Sequence, residues 1–123
     1  MSRTQIIDFQ GNKLFYMDFT NLKSAEEVMN VITEARSYIV RQPASSILAL
    51  TNIEGMHFNN QVKDLFSDFV KQNKPYIKCS AVIGVDGLKQ ILYNGIMKVT
   101  GRDVKAFSTM SIAKSWLIST GKN

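Results

Sequence analysis

The side chains best suited to chemistry in this sequence are one histidine and one cysteine. His57 could act as a general base only with an orienting partner and a nucleophile within hydrogen-bond reach, and its loop offers Glu54 alone. Cys79 lies in the apolar run of residues 79–83, where a cysteine is typically a small buried hydrophobe. A single cysteine forms neither an intramolecular disulfide nor a zinc cluster. We therefore expect no enzyme activity, no metal and no cofactor.

The loop that contains His57 is the strongest candidate for a binding site. It follows residues 47–50, an apolar run typical of a strand buried on both faces, so a rigid scaffold should hold its base. It offers a carboxylate, an imidazole, two large apolar groups and a glycine that allows unusual backbone angles. The helix predicted to begin near Asn60 presents free amide donors that could receive an acidic group of a partner. The predicted interaction residues are Glu54, Gly55, Met56, His57, Phe58 and Asn59.

Met56 and Phe58 decide between two interpretations of this loop. Both sit in a polar segment, where burial in the core is less assured than for the other methionines and phenylalanines. Apolar residues exposed beside charged ones are typical of a protein interface, which is the interpretation we favour. In the alternative, both side chains are buried and the loop is a structural plug over the core.

The net charge of +5 is unevenly distributed along the chain. Residues 1–62 have five basic and six acidic side chains, a net of −1, whereas residues 63–123 have ten basic and four acidic, a net of +6. Such asymmetry can indicate contact with nucleic acid, anionic lipid or an acidic protein. The lysines are scattered, however, without a run of like charge and without an RNA-binding aromatic motif. We therefore expect solvated helix faces and no nucleic-acid partner.

The composition is that of a small globular domain. The 123 residues are 45% hydrophobic and 20% charged, which predicts one domain over residues 1–123. The first residues do not form a signal peptide, and no stretch approaches the roughly 20 apolar residues that a membrane span requires. These features predict a cytoplasmic protein that does not insert into a membrane.

Hydrophobic periodicity and turn residues predict the order β-β-α-β-α-β-α-β-α. The chain opens with a hairpin made of residues 5–9 and 13–19, with Gly11 and Asn12 between the strands. The buried strand at 47–50 and a second apolar strand after the next helix form a βαβ unit, so they should be parallel with a right-handed crossover. The expected outcome is an α/β fold in which helices pack against one mixed sheet.

Capping residues and apolar spacing define the helices. Ser24 and Glu27 form a capping-box pattern, in which both side chains satisfy free backbone donors at the start of the first helix. In the third helix Gly95 indicates close packing against the sheet, and Gly101 indicates the end of the helix. The large apolar residues of that helix expected to face inward are Leu88, Ile91, Leu92, Ile96 and Val99.

With this order of elements, the whole chain resembles the STAS domain, the fold of bacterial anti-sigma-factor antagonists. More closely, it resembles a family of small, uncharacterised bacterial STAS-like proteins. The resemblance rests on residues 13–19, residues 47–52, residues 73–76 with the strand that follows them, and residues 113–117. It implies a single STAS-like domain and a role in regulation through protein contacts.

The regulatory motif of that family falls in the candidate loop. In the antagonists an aspartate is followed by one or two hydroxyl residues and a glycine, and the hydroxyl beside the glycine is phosphorylated. Here the stretch reads Asn52-Ile53-Glu54-Gly55, so the aspartate is absent and a glutamate stands at the phosphorylated position. Gly55 is the one residue that matches the motif. We therefore expect no conventional phosphorylation switch.

Three classes of function follow from these observations. The first is a non-enzymatic regulatory module of a bacterium that acts by binding a protein partner. The second is a binder of a small apolar or anionic ligand, a lipid or a nucleotide, at the loops after the parallel strands. The third is an enzyme that uses His57, which the missing partners of that histidine disfavour. The protein-interaction module is the function we predict.

Overall fold

The computed structural model describes residues 2–101 and 104–121, apart from the side chains of Leu88, Leu92 and Val99. The elements follow the predicted order and differ from the predicted bounds by a few residues at their ends. They are β1 (Thr4–Phe9), β2 (Asn12–Asp18), α1 (Ala25–Ile39), β3 (Ile47–Asn52), α2 (Asn60–Asn73), β4 (Ile77–Ile83), α3 (Gly87–Thr100), β5 (Val104–Phe107) and α4 (Met110–Gly121).

The five strands form one sheet whose order, β1-β2-β3-β4-β5, repeats their order along the chain. β1 runs antiparallel to β2, and every other neighbouring pair is parallel. The mixed α/β sheet and the parallel βαβ unit predicted from the sequence are therefore confirmed. The carboxyl ends of β2 to β5 lie along one edge of the sheet, which we call the carboxyl edge.

The hairpin turn lies one residue earlier than predicted. Gln10 and Gly11 adopt positive φ angles of 51° and 79°, which a two-residue turn between twisted strands requires at both positions. Asn12 instead pairs with Phe9 and begins β2. Its side chain still supports the turn, because Asn12 Nδ2 donates a hydrogen bond to the Gln10 carbonyl at 3.1 Å.

The predicted capping box starts α1. Ser24 Oγ accepts a hydrogen bond from the Glu27 amide at 3.2 Å, and Glu27 Oε1 accepts one from the Lys23 amide at 2.9 Å. The bond from Lys23 lowers the pKa of Glu27, because it stabilises the carboxylate form. These bonds satisfy amides that have no partner within the helix and so fix where α1 begins.

The sheet has a different helical layer on each face. The first face, which we call the three-helix face, is covered by α1, α2 and α3, and α4 covers the other, the α4 face. Because strand residues alternate between faces, neighbouring residues of β3 and β4 serve both cores. The three-helix core includes Phe15, Val28, Ile32, Ala49, Phe66, Phe69, Val82 and Ile96. The α4 core includes Leu14, Leu50, Ala81, Ile83, Ala113, Leu117 and Ile118.

The orientation of α3 differs from the prediction. Ile96 is buried, and Tyr93 and Met97 pack against the same core, so these three residues define the inward face at helical spacing. Ile91 lies two residues before Tyr93, about 200° away around a helix, and is 68% exposed. The prediction that Ile91 faces inward was therefore wrong. The prediction that Leu88, Leu92 and Val99 face inward lies outside what the structure describes, because their side chains are not among the described ones.

The two glycines of α3 have different roles. A methyl group at Gly95 would meet only Lys63 Cε of α2, at 3.8 Å, so the predicted close packing of Gly95 against the sheet was wrong. Gly95 instead faces the aliphatic stem of that lysine. Gly101 has a φ angle of 69° and donates its amide to the Met97 carbonyl at 3.1 Å, which ends α3 as predicted.

Candidate functional site

The predicted interaction residues lie on one segment at the carboxyl edge, residues 54–59, which we call the 54–59 loop. It leaves β3 through Asn52, whose Oδ1 accepts a hydrogen bond from the Glu54 amide at 3.0 Å. Asn52 Nδ2 also donates to the Tyr16 hydroxyl at 3.2 Å. Asparagine side chains favour such local bonds at the start of turns. The residue that stands where the family has its aspartate thus shapes the loop.

The backbone of the 54–59 loop is bonded to other parts of the fold. The His57 amide donates to the Leu22 carbonyl at 2.8 Å, and the Glu54 carbonyl accepts from the Asn21 amide at 2.9 Å. Just before the loop, the Ile53 amide donates to the Ile83 carbonyl at 2.9 Å. These bonds hold the loop between the segment before α1 and the end of β4.

Gly55 has a backbone conformation that favours glycine. Its φ angle is 70°, and a Cβ atom built there would lie 2.1 Å from Asn21 Oδ1. The backbone angle therefore favours glycine, and the Asn21 side chain would have to move to admit a Cβ atom. The one residue that matches the family motif is thus explained by its left-handed backbone angle.

The side chains of the 54–59 loop alternate between the core and solvent. Met56 is 3% exposed and Phe58 is 8% exposed, and the Phe58 ring lies 6.0 Å from the Phe66 ring, centroid to centroid. The expectation that Met56 and Phe58 stand exposed was therefore wrong. Both side chains pack into the three-helix core, between the sheet and the helices. Glu54 and His57 are exposed.

Asn59 has a structural role at the end of the loop, where α2 begins. It is the N-cap of α2, and its Oδ1 accepts a hydrogen bond from the Val62 amide at 2.9 Å. This bond satisfies one of the free amides that were predicted to receive an acidic group of a partner. Glu54, Gly55, His57 and Asn59 are the exposed members of the predicted interaction residues, and of these Asn59 is already engaged as the N-cap.

A cleft of about 390 Å³ lies beside the 54–59 loop at the carboxyl edge. Glu54 and Gly55 line it together with Gly84 and Asp86 of the segment after β4. Phe107 and Ser108, at the end of β5, complete the lining together with Val85. The two loops that follow β3 and β4 were predicted to emerge at this edge, and the structure brings them together. Two carboxylates make the cleft acidic.

Lys89 joins the segments after β3 and β4 and was not identified by the sequence reasoning. Its Nζ donates to the Ile53 carbonyl at 3.0 Å and to the Gly84 carbonyl at 3.3 Å. It also lies 3.9 Å from Asp86 Oδ1. The spacing of Asp86 and Lys89 in sequence signals only this last ion pair, since Ile53 is 36 residues away.

The imidazole of His57 is exposed. Among the residues that the structure describes, no carboxylate or hydroxyl group forms a hydrogen bond with its imidazole.

Within residues 2–101 and 104–121, no three His, Cys, Asp or Glu side chains lie close enough together to hold a metal ion. The helices in the described ranges are each too short or too polar to cross a membrane.

Cys79 is part of the packing of the α4 face. Its Sγ lies 3.8 Å from the Leu117 carbonyl, and the side chain is half-buried. Burial raises the pKa of the Cys79 thiol, because the thiolate would lose its hydration. A raised pKa keeps the thiol in its unreactive protonated form, which agrees with the structural role predicted for it.

An apolar cavity of about 70 Å³ lies on the inner side of the 54–59 loop, between the sheet and helices α2 and α3. Phe58, Phe66 and Phe69 contribute aromatic walls, and Ile96 and Met97 contribute the wall from α3. Asn73 and Ser80 are among its few polar lining residues. The loop thus separates two spaces, an acidic cleft outside and an apolar cavity inside.

No family model matches the chain, and no curated protein matches it. Its structure is similar to the crystal structure of an uncharacterised protein from the DUF3478 family, from Shewanella loihica PV-4, which has a SpoIIAA-like fold. The TM-score is 0.63 at 19% sequence identity, and the match covers 93% of this chain and 91% of that chain. At this level of sequence identity, the similarity between the two structures establishes the fold alone. The chain therefore has a SpoIIAA-like, STAS-like fold, as the sequence resemblance implied.

Proposed function

We propose that this protein is a non-enzymatic regulatory module of the bacterial cytoplasm that binds a protein partner through the 54–59 loop and the cleft beside it. The observation that supports this most directly is the contrast within the loop. Its backbone is tied to Asn21, Leu22 and, through Ile53, to Ile83, while the side chains of Glu54 and His57 are exposed.

A loop held in this way is well suited to binding. Association costs free energy whenever a flexible segment has to be ordered, and a loop that is already fixed avoids most of that cost. The buried Met56 and Phe58 contribute to the fixing, because each anchors the loop in the core between two exposed residues. In this proposal their role is to hold the surface rather than to contact the partner.

The charge of the cleft suggests what the partner presents. Glu54 and Asp86 both line the cleft, and both side chains are exposed. A partner that places an arginine or lysine between them would gain electrostatic complementarity, which raises association rates and excludes acidic competitors. We therefore propose a positively charged contact at the centre of the partner's binding surface.

Glu54 also bears on regulation. It places a fixed negative charge beside Gly55, where the antagonists of the family have a residue that gains charge only when it is phosphorylated. We propose that binding here does not depend on phosphorylation. Mass spectrometry of the protein from native cells should find no phosphopeptide in residues 51–60, and a regulated phosphorylation site in that segment would contradict the proposal.

The main test is capture of a partner by the purified protein from an extract of its native organism. The variant Glu54→Ala/His57→Ala should lose at least about tenfold of the captured partner, since interface charges at a close contact are worth about that much. The matched control is Asp68→Ala/Gln72→Ala, which removes two exposed side chains from α2. Equal capture by the wild type and both variants would show that the 54–59 loop is not the binding surface.

A second candidate function is the binding of a small apolar ligand in the cavity between the sheet and helices α2 and α3. At about 70 Å³ the cavity has room for only a few carbon atoms, so a lipid chain would require α2 and α3 to separate. A nucleotide or other anion is disfavoured at the cleft by its two carboxylates. Native mass spectrometry separates the candidates, because a co-purified apolar ligand would add a discrete mass to the chain.

A further inference from the structure

Lys89 is a nearly buried cation at the base of the candidate site. Its side chain is 12% exposed, whereas that of its ion-pair partner Asp86 is 82% exposed. The Nζ–Oδ1 distance of 3.9 Å is at the limit for an ion pair, and solvent screens an interaction with so exposed a carboxylate. The ion pair therefore does not explain why a lysine is held here.

The two carbonyl contacts explain it better. A buried ammonium is costly unless its protons are accepted by nearby oxygens, and Lys89 finds them on Ile53 and Gly84 at 3.0 and 3.3 Å. These carbonyls belong to two different segments, one after β3 and one after β4. Hydrogen bonds from a charged donor are about twice as strong as neutral ones, so this lysine joins the two segments firmly.

The segments that Lys89 joins are also in backbone contact. Gly84 has a φ angle of 96°, and a Cβ atom there would lie 2.4 Å from the Glu54 amide nitrogen. The Ile53 carbonyl that accepts from Lys89 also accepts from the Met56 amide at 3.1 Å. The position of the Glu54 backbone is thus set by Gly84 on one side and by the Ile53 carbonyl, which Lys89 holds, on the other.

We propose that Lys89 is a positioning residue for the interaction surface: its ammonium fixes the 54–59 loop against the segment after β4 and so sets the position of Glu54 relative to Asp86 at the cleft. This inference rests on the proposed function, because it gives Lys89 a role in shaping the surface that the partner meets. The interaction surface then depends on two parts of the chain, because α3 supplies the lysine that orders the loop between β3 and α2.

Hydrogen exchange tests the inference directly. In Lys89→Met, which keeps the aliphatic stem and removes the donor, the amides of Ile53, Met56 and His57 should exchange about ten- to a hundredfold faster, as expected for the loss of hydrogen bonds to a charged group. Lys98→Met, an exposed lysine of the same helix, should leave these rates unchanged. Unchanged exchange at the three amides in Lys89→Met would overturn the inference.

A second measurement needs no substitution and so remains informative if Lys89→Met does not fold. In the wild type, an ammonium held by two carbonyls should exchange its protons with water more slowly than that of Lys98, by at least about tenfold on the same reasoning. Nitrogen-detected NMR of lysine side chains measures both rates in one sample. A Lys89 ammonium that exchanges as fast as the Lys98 ammonium would refute the positioning role.

Partner capture then separates this inference from the proposed function. If both hold, Lys89→Met should lose capture about as strongly as Glu54→Ala/His57→Ala, and Lys89→Arg, which keeps a charged donor, should restore most of it. Faster exchange in Lys89→Met with no effect of the Glu54→Ala/His57→Ala variant on capture would retain the positioning role and refute the proposed function. Normal exchange in Lys89→Met would refute the positioning role whatever the capture result.

Discussion

The two faces of the sheet are packed to different degrees. On the three-helix face a cavity of about 70 Å³ remains between the sheet and helices α2 and α3, although Phe58 of the 54–59 loop reaches into that space. On the α4 face Leu14, Leu50 and Leu117 are fully buried. A methyl group on Gly121 would approach Leu48 Cδ2 to 2.7 Å, so the Leu48 side chain would have to shift to admit it.

The difference follows from the number of helices that cover each face. A single helix centred on the last three strands, β3 to β5, makes one continuous contact and closes tightly. Several helices side by side leave gaps between them, and those gaps must be filled from elsewhere in the chain. Here a loop fills part of the gap, which is why a polar segment contains two buried apolar residues. The loop at the candidate site is therefore also part of the core.

Removal of Phe58 should give the largest effect. Phe58→Ala deletes a ring that is 8% exposed and enlarges a cavity that already exists, so the free energy of unfolding should fall by about 3–5 kcal/mol. Chemical denaturation measures this loss. Glu54→Ala and His57→Ala, in the same loop but exposed, should each change the free energy of unfolding by no more than about 0.5 kcal/mol. A loss below about 1 kcal/mol for Phe58→Ala would mean that the loop does not fill the core.

An equal enlargement on each face tests the comparison more directly. Ala49 and Ala81 lie on neighbouring central strands and are 2% and 0% exposed, but Ala49 lines the cavity and Ala81 belongs to the α4 core. Ala81→Val should destabilise the protein by about 1–3 kcal/mol, because added methyl groups strain a filled core. Ala49→Val should be neutral or stabilising by about 0.5 kcal/mol, since it fills empty space. Equal losses in thermal or urea unfolding would show that the faces are packed alike.

The smallest effect should appear at the polar margin of the three-helix face. Glu34 of α1 accepts hydrogen bonds from Ser2 Oγ, the Arg3 amide and Thr4 Oγ1. Burial alone would raise the pKa of Glu34, but these hydrogen bonds outweigh it and lower the pKa from its ordinary value of 4.5. The stabilisation of the folded state by Glu34 is therefore complete above pH 4.5, the pKa of this residue in the unfolded chain. It is lost as the pH falls through the lower pKa of the folded state.

This pH dependence should depend on one side chain. The free energy of unfolding, measured by urea titration between about pH 3 and 6, should fall less steeply with acid in Glu34→Gln than in the wild type. Glu26→Gln, an exposed residue of the same helix, should retain the wild-type slope. Identical slopes for the wild type and Glu34→Gln would contradict the expectation.

The sequence predicts more of the fold than of the site, for physical reasons. Capping by Ser24 and Glu27 and the apolar periodicity of the strands are local, so the element order could be read from short windows of sequence. The burial of Met56 and Phe58 depends instead on a gap between helices that exists only after packing. The contact of Lys89 with Ile53 spans 36 residues, and no local pattern signals it. Gly55 was identified through the family motif, and its positive φ angle in the structure explains why a glycine stands there.

The order of the strands has a consequence for how the chain can fold during synthesis. Because β1 to β5 lie in the sheet in the order in which they occur in the chain, each new strand can join a neighbour that has already been made, without displacing one. The α4 face is the exception, since Leu14, Leu50 and Ala81 stay uncovered until residues 110–121 have emerged. The nascent chain therefore exposes one apolar sheet face to chaperones until its final helix is complete.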